Sequence, residues 1–150
     1  MNEVEVIISS DSGATETVGE RLARRLSPGD VVLLEGDLAA GKTTFIRGLV
    51  RGLGGDPESV TSPTFVIVQT YDCNGPISFV HHIDLYRLPE DPSALREIGI
   101  EEILADENAV IAVEWPRDLL VDWLPANATP LRVVLTRRPD DARKIEIFPV

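Results

Sequence analysis

A glycine-rich motif between a predicted strand and a predicted helix most constrains the fold of this chain. Residues 36–43 read Gly-Asp-Leu-Ala-Ala-Gly-Lys-Thr and match the phosphate-binding pattern G-x-x-x-x-G-K-[S/T]. The apolar residues 31–34 precede the motif and predict a buried strand that ends at the loop. Such a loop wraps backbone N–H groups around a polyphosphate, and the following helix adds its positive N-terminal end. The motif therefore predicts nucleotide binding.

The basic residue of the motif supports this interpretation. The chain has 14 basic residues but only two lysines, Lys42 and Lys144. We expect the compact Lys42 ammonium to reach the β- and γ-phosphate oxygens, where a forked guanidinium would not fit. We expect the Thr43 hydroxyl to bind Mg²⁺. The competing interpretation, a simple glycine turn with a lysine nearby, is disfavoured by the predicted strand and helix on either side.

Hydrophobic periodicity predicts the other elements. In the first half we expect strands at residues 4–8 and 31–34, and helices at residues 12–26 and from Lys42 to the Gly54-Gly55 pair. In the second half we expect antiparallel hairpins of residues 64–71 with 76–83 and of residues 131–136 with 144–148. Between the hairpins we expect helices at residues 91–98, 100–105 and 116–123, and a buried strand at residues 109–113.

These elements predict an α/β fold of the P-loop NTPase type. We expect a three-layer sandwich in which a mixed central sheet, with antiparallel hairpins, is flanked by helices. Because 150 residues suit one domain, we expect residues 1–150 to form a single P-loop domain.

Composition and charge exclude several classes of protein. No apolar run approaches the ~20 residues of a membrane helix, and the N-terminus lacks the pattern of a secretion signal, so we expect a cytoplasmic protein. The net charge of −11 argues against a large nucleic-acid-binding surface, so a partner would hold any nucleic acid. Five arginines lie on the first two predicted helices: Arg21, Arg24, Arg25, Arg47 and Arg51. They form either a local basic face or ordinary solvated helix surfaces, and the second interpretation is favoured.

Two carboxylates are candidates for a magnesium site. Phosphate loops need a second acid at the carboxyl end of a neighbouring strand. Glu114 directly follows the apolar residues 110–113, and Asp84 ends the strand predicted before it. Either one binds the ion directly or through water, and the sequence does not decide between them.

Four other side chains near these motifs have open roles. His82 lies two residues before Asp84, so both face the same side of a strand, and His82 is either structural or close to the phosphates. For His81 a structural role is favoured. Thr64 follows a proline in a loop of the kind that senses a γ-phosphate. A plain turn is the alternative interpretation of the same residues. Trp115 is either a core residue or an anchor for a partner.

Four motifs, in this order, resemble the bacterial TsaE (YjeE) family, ATPases of tRNA threonylcarbamoyladenosine (t6A) biosynthesis. They are GDLAAGKTTF at residues 36–45, SPTF at 62–65, HIDLYRL at 82–88 and VEW at 113–115, and the likeness spans nearly the whole chain. The resemblance implies an ATP-binding, slowly hydrolysing subunit that works with the proteins TsaD and TsaB on the t6A37 modification. In that family TsaD performs the transfer, so contact with tRNA would be indirect, through the partner complex.

The resemblance also implies roles for individual residues. It assigns Mg²⁺ to Thr43 and Glu114, with Asp84 as a second acid, and it assigns catalysis to Lys42, Asp84 and Thr64. The residues implied to contact ATP or ADP are Ser12, Asp37, Leu38, Ala39, Ala40, Gly41, Lys42, Thr43 and Thr44. The family commonly has glycine where this chain has Ala39, which restricts φ in the loop.

For the reaction we expect in-line attack of water on the γ-phosphate. Lys42 and Mg²⁺ would neutralise charge, and Thr64 or an acidic residue would orient the water. Arg87 is the best internal candidate for an arginine finger, and a finger from a partner is the alternative. A small-molecule kinase and a non-catalytic nucleotide-sensing adaptor remain alternative functions. The kinase is disfavoured because residues 91–106 are acidic and contain Arg96 alone, where such enzymes carry an arginine-rich lid.

Overall fold

The structure is a computed structural model that describes residues 4–37, 40–61, 67–86, 88–89, 91–116, 120, 123–124 and 130–149. The described chain contains seven strands, four α-helices and a short 3₁₀ helix. In order, the elements are β1 (Glu5–Ser9), α1 (Ser12–Ala23), β2 (Val31–Glu35), α2 (Lys42–Gly52), a short 3₁₀ helix (Pro57–Ser59), β3 (Val68–Asp72), β4 (Phe79–Asp84), α3 (Pro92–Glu97), α4 (Ile100–Leu104), β5 (Ala109–Glu114), β6 (Leu131–Arg137) and β7 (Arg143–Pro149).

The strands form one mixed sheet, as predicted. Seven strands are hydrogen-bonded in the order β1-β7-β6-β2-β5-β4-β3. The central strand β2 pairs in parallel with β5 and β6, and β5 pairs in parallel with β4. The outer pairs, β3 with β4 and β6 with β7, are the two predicted antiparallel hairpins. Parallel β2, β4 and β5 therefore end at the same edge of the sheet.

Helices cover both faces of this sheet and make it the middle of three layers. Val32 and Leu34 of β2 pack in one core with residues of α1 and α2, while Val31 and Leu33 pack in a second core with residues of α3 and α4. All six residues of β5 are buried, as expected for a strand covered on both faces. The three-layer α/β sandwich predicted from the sequence is confirmed.

Helices α1 and α2 pack backbone against backbone, through glycines. A Cβ atom added at Gly48 would lie 1.9 Å from the carbonyl oxygen of Glu16, and one added at Gly19 would lie 2.2 Å from that of Phe45. Both distances are far below van der Waals contact. The glycines therefore set how closely α2, and with it the phosphate-binding motif, approaches α1.

Carboxylates neutralise several arginines of this layer. The Arg51 guanidinium lies 3.2 Å from Glu16 and 3.0 Å from Glu20 of α1. Arg47 lies 3.6 Å from Glu16, and Arg25 pairs with Glu5. For these three arginines the structure favours paired, solvated side chains over a basic face.

Some predicted boundaries differ from the structure. Helix α1 ends at Ala23 rather than residue 26, because the next N–H groups bond three residues back and tighten the last turn. Strand β4 begins at Phe79 rather than residue 76. Cys73 still donates to Ser78 across the hairpin, but the N–H of Asn74 donates to Gly54 after α2 and that of Ser78 donates to Asn108 before β5. Most of the helix predicted at residues 116–123, and residues 64–66 of a predicted strand, lie outside the described residues.

Within the described residues, none of the helices is long and apolar enough to cross a bilayer. That the whole of residues 1–150 forms one domain stays a prediction.

The close approach of α1 and α2 gives a test of the packing. We expect Gly48→Ala to lower the free energy of unfolding by roughly 3 kcal/mol, although alanine is the better helix former, because the added methyl meets backbone. The matched control is Gly13→Ala in α1, where the nearest atom to an added Cβ is 3.4 Å away, and we expect a gain of about 0.5 kcal/mol there. Urea unfolding measures both, and equal values for the two variants would contradict the packing argument.

Candidate functional site

The candidate site lies at the carboxyl ends of the central parallel strands. Glu114, the last residue of β5, pairs in register with Asp84 of β4 on one side and with Leu34 of β2 on the other. The phosphate-binding motif begins directly after β2. Ligands of open α/β sheets bind at this edge, so the fold brings the motif and both predicted acids together.

Two glycines shape the motif. Gly36 has φ +151°, and a Cβ there would lie 2.5 Å from the carbonyl oxygen of Leu135 in β6. Gly41 has φ +101° and precedes α2, so it offers no side chain to cap the first N–H groups of that helix. These N–H groups are donors without intrahelical acceptors. Leu38 and Ala39, two predicted contacts, lie outside the described residues.

The motif lysine is buried against the start of the loop. Lys42 is 5% exposed, and its Nζ donates to the carbonyl oxygens of Gly36, at 2.5 Å, and Asp37, at 3.0 Å. The ammonium also lies 4.1 Å from the centre of the Trp115 ring, within the range of a cation–π interaction. Burial lowers the pKa of Lys42, and the negative charges of Glu114, Asp84 and Asp37 oppose that shift.

Trp115 holds its position with a strained backbone. Its φ of 56° lies in the left-handed region, which is unusual for a bulky residue, and its N–H donates to the Leu34 carbonyl at 3.1 Å. The indole packs against Tyr86, with 4.8 Å between ring centres. Strain of this kind clusters at functional sites, and here it directs the indole under the lysine.

Cavities lie on both sides of the motif. A cavity of about 380 Å³ adjoins its first residues and is lined by Glu35, Gly36, Asp37, Tyr86, Trp115 and Pro116. A smaller one of about 70 Å³ adjoins its end and is lined by Asp11, Ser12, Thr15, Gly41, Thr44, Asp141 and Arg143. Ser12 and Thr44 of the predicted nucleotide contacts therefore share the smaller cavity, and Asp37 lies at the larger one.

The two acids are in different surroundings. Asp84 is partly buried, and its Oδ1 accepts a hydrogen bond from the N–H of Tyr86 at 2.9 Å. Burial raises the pKa of Asp84, the hydrogen bond from Tyr86 lowers it, and the negative charge of Glu114 raises it further. Glu114 is 4% exposed, so it is the more enclosed carboxylate. Within the described residues no cluster of three or more His, Cys, Asp or Glu side chains is placed to hold a metal ion.

His82 lies on the face predicted for it, and its partner is Glu114. Its Nε2 lies 2.5 Å from Glu114 Oε2, and its Nδ1 lies 2.9 Å from the hydroxyl of Tyr71. Burial raises the pKa of Tyr71 to about 12. Sequence reasoning missed Tyr71, and the available signal was its place on the strand predicted to pair with that of His82. Thr64, a predicted catalytic residue, lies outside the described residues, and Thr43 is the second residue of α2.

The environment of Asp84 leads to a stability prediction. A folded-state pKa above the unfolded value of 3.8 means that the charged carboxylate opposes folding. This cost is fully present near neutral pH and disappears as the pH falls below 3.8. We expect Asp84→Asn to raise the melting temperature of the nucleotide-free and metal-free protein by a few degrees near neutral pH, with a smaller gain in acid.

Circular dichroism melts of Asp84→Asn and of the wild-type protein, near neutral pH and in acid, measure this difference in melting temperature. Asp72→Asn, at an exposed carboxylate that ends β3, is the control and should change neither melt. A lower melting temperature for Asp84→Asn near neutral pH would contradict the prediction.

The chain is similar in sequence to proteins of one known family. A sequence model of the family described as "Threonylcarbamoyl adenosine biosynthesis protein TsaE" matches residues 9–145. Two proteins named tRNA threonylcarbamoyladenosine biosynthesis protein TsaE are similar to this chain. That of Bacillus subtilis (strain 168) is 40% identical over 87% of this chain and 77% of its own length. That of Rickettsia felis is 38% identical over 73% of this chain and 61% of its own length.

A solved structure is similar over the whole chain. The crystal structure of Bacillus subtilis YdiB matches with a TM-score of 0.73 and 31% sequence identity, covering 100% of this chain and 87% of that one. The family model matches more than half of the chain, and both relatives are more than 30% identical over more than two thirds of it. The chain therefore belongs to the TsaE family of threonylcarbamoyl adenosine biosynthesis proteins.

Proposed function

We propose that this protein binds ATP and ADP with Mg²⁺, hydrolyses ATP slowly, and acts in the t6A modification of tRNA together with TsaD and TsaB. The observation that carries the proposal is a buried lysine within a phosphate-binding motif, placed beside two register-paired carboxylates at one edge of the sheet. The role in threonylcarbamoyladenosine biosynthesis follows from the family to which the chain belongs.

The motif fits a nucleoside polyphosphate. An ammonium has three N–H donors, and the carbonyl oxygens of Gly36 and Asp37 take two of them, which leaves the third for a phosphate oxygen. The uncapped N–H groups at the start of α2 supply further donors, together with the positive end of the helix dipole. We assign Asp37, Leu38, Ala39, Ala40, Gly41, Lys42, Thr43 and Thr44 to the phosphates, and Ser12 to the nucleoside side through the smaller cavity that it shares with Thr44.

The acids fit a magnesium ion bound jointly with nucleotide. Mg²⁺ usually takes one or two carboxylates and completes its shell with phosphate oxygens and water, so two acids with a hydroxyl suffice. We assign Thr43 and Glu114 to the ion and Asp84 to a position beside it. Because burial and the neighbouring Glu114 charge raise the pKa of Asp84, a cation at this edge would relieve an existing repulsion. When bound, the ion would supply charge neutralisation at the β- and γ-phosphates.

The residues of this chain would serve hydrolysis by binding and orientation. Lys42 would neutralise charge on the γ-phosphate, while Thr64 or Asp84 would orient the attacking water. No arginine is among the described residues that line the larger cavity, and Arg87 lies outside the described residues. An arginine finger from Arg87 and one from TsaD or TsaB therefore both stay open in the proposal, and one from a partner would account for slow turnover by the isolated chain.

The first test replaces the motif lysine. We expect Lys42→Ala to lower partner-stimulated ATP hydrolysis by roughly 10²–10³-fold, because a charge aimed at the transition state is lost. The assay measures phosphate release by this chain alone and with TsaD and TsaB, with and without Mg²⁺. Lys144→Ala is the matched control, since Lys144 is the other lysine and its ammonium lies 3.9 Å from Glu146 on β7.

The second readout of this test is t6A formed on tRNA in the reconstituted system. Modification that continues unchanged with Lys42→Ala would overturn the role of hydrolysis in the pathway. If wild-type protein bound ATP and its partners without any stimulated turnover, a nucleotide-sensing adaptor would replace the proposed ATPase.

A further inference from the structure

A line of buried hydrogen bonds connects Glu114 to the edge of the sheet. Its Oε2 lies 2.5 Å from His82 Nε2, and His82 Nδ1 lies 2.9 Å from the hydroxyl of Tyr71. That hydroxyl in turn donates to Gln69 Oε1 at 2.5 Å. The four side chains come from three adjacent strands, β5, β4 and β3. None of the roles proposed above for nucleotide or metal uses Tyr71 or Gln69.

Strand register places these side chains on one face of the sheet. Gln69 pairs with His82 across the β3–β4 hairpin, while Glu114 pairs with Asp84, two residues further along β4. Side chains two residues apart on a strand share a face, so His82 and Glu114 both lie on the side covered by α2. The line therefore depends on the pairing of three strands and not on one local turn.

Burial makes the orientation of His82 dependent on these partners. His82 is 0% exposed and Tyr71 is 6% exposed, so water is not at hand to replace a lost partner. Among the described residues, Nε2 of His82 contacts the Glu114 carboxylate and Nδ1 contacts the Tyr71 hydroxyl. A ring held at both nitrogens has a set orientation, and it holds the Oε2 atom of Glu114 in one place. The other carboxylate oxygen then points in a defined direction.

We propose that Tyr71 is a positioning residue that acts through His82 to hold the Glu114 carboxylate in the orientation that binds a divalent cation together with nucleotide. This inference rests on the proposed function, because it needs Glu114 to bind the ion. The loss of outer partners of a metal-binding carboxylate typically lowers metal affinity by about 10–100-fold. His82 is the outer partner of Glu114, and Tyr71 acts on it from one step further out, so we expect its effect at the lower end of this range.

The same hairpin contains a matched contact that lacks this connection. On the opposite face, the Thr70 hydroxyl lies 2.9 Å from His81 Nδ1, and His81 Nε2 lies 2.7 Å from Asp106. Both hydroxyl–histidine contacts thus have the same length and come from adjacent residues of β3. The Thr70 contact leads to Asp106, which lies outside the site, whereas the Tyr71 contact leads to Glu114.

The experiment compares Tyr71→Phe with Thr70→Val, since each change removes one hydroxyl and keeps the shape of the side chain. Isothermal titration calorimetry measures ADP affinity without metal and across a series of Mg²⁺ concentrations. For Tyr71→Phe we expect the Mg²⁺ concentration at half-maximal effect to rise about tenfold, with metal-free ADP affinity within about twofold of wild type. For Thr70→Val we expect neither value to change. A purely structural role for Tyr71 would lower thermal stability without moving the Mg²⁺ dependence.

A second variant separates the effect of this line of hydrogen bonds from a general loss of packing. Gln69→Met removes the acceptor of the Tyr71 hydroxyl at a partly exposed position, and we expect a smaller rise in the Mg²⁺ requirement. In the Tyr71→Phe background the same change should have no further effect, because the connection is already broken. Additive effects of the two substitutions on the Mg²⁺ requirement would contradict the proposal that Gln69 and Tyr71 act through one line of hydrogen bonds.

The outcomes separate this inference from the proposed function. If wild-type protein bound ADP with no dependence on Mg²⁺, the proposed magnesium site would be wrong, and the proposed role of Tyr71 would be wrong as well. If wild type showed that dependence and Tyr71→Phe matched both wild type and Thr70→Val, the magnesium site would stand and the positioning role of Tyr71 would be wrong.

Discussion

Burial of a positive charge at the end of β2 is the constraint on which the rest of the site depends. Lys42 is 5% exposed, and a buried ammonium is stable only with acceptors and negative charge nearby. The loop carbonyl groups of Gly36 and Asp37 are the acceptors. Glu114 and Asp84 provide the opposing charge. They are within reach because β2, β4 and β5 are parallel and end at one edge.

This arrangement concentrates unfavourable local features at the candidate site. Asp84 has a raised pKa because it is partly buried, Trp115 has a left-handed backbone, and His82 is a fully buried polar ring. Each of them disfavours folding when taken alone. The apolar layers on both faces of the sheet, in which all of β5 is buried, hold the strand ends in place despite these features. Stability is thus supplied by the core, while the edge of the sheet holds the buried charged and polar groups.

Local sequence patterns predicted much of the fold because each depends on neighbouring residues. The apolar run before the motif predicted β2, the spacing of apolar residues predicted α1 and α2, and the two turns predicted both hairpins. One boundary was wrong where distant backbone competed, because Asn74 donates to Gly54 after α2 and Ser78 donates to Asn108 before β5. The 3₁₀ helix at Pro57–Ser59 was not predicted either, since three residues carry too little periodicity.

By itself, the sequence determined that the chain carries a phosphate-binding motif on a strand-loop-helix unit, and that Asp84 and Glu114 each lie at the end of a strand. It could do so because glycine spacing, chain direction and apolar runs are properties of contiguous residues. Only the tertiary structure decided which acid meets His82, which aromatic ring lies against Lys42, and that Tyr71 completes a line of hydrogen bonds to Glu114. These contacts join residues far apart in the chain, and the order and register of strands in the sheet set them.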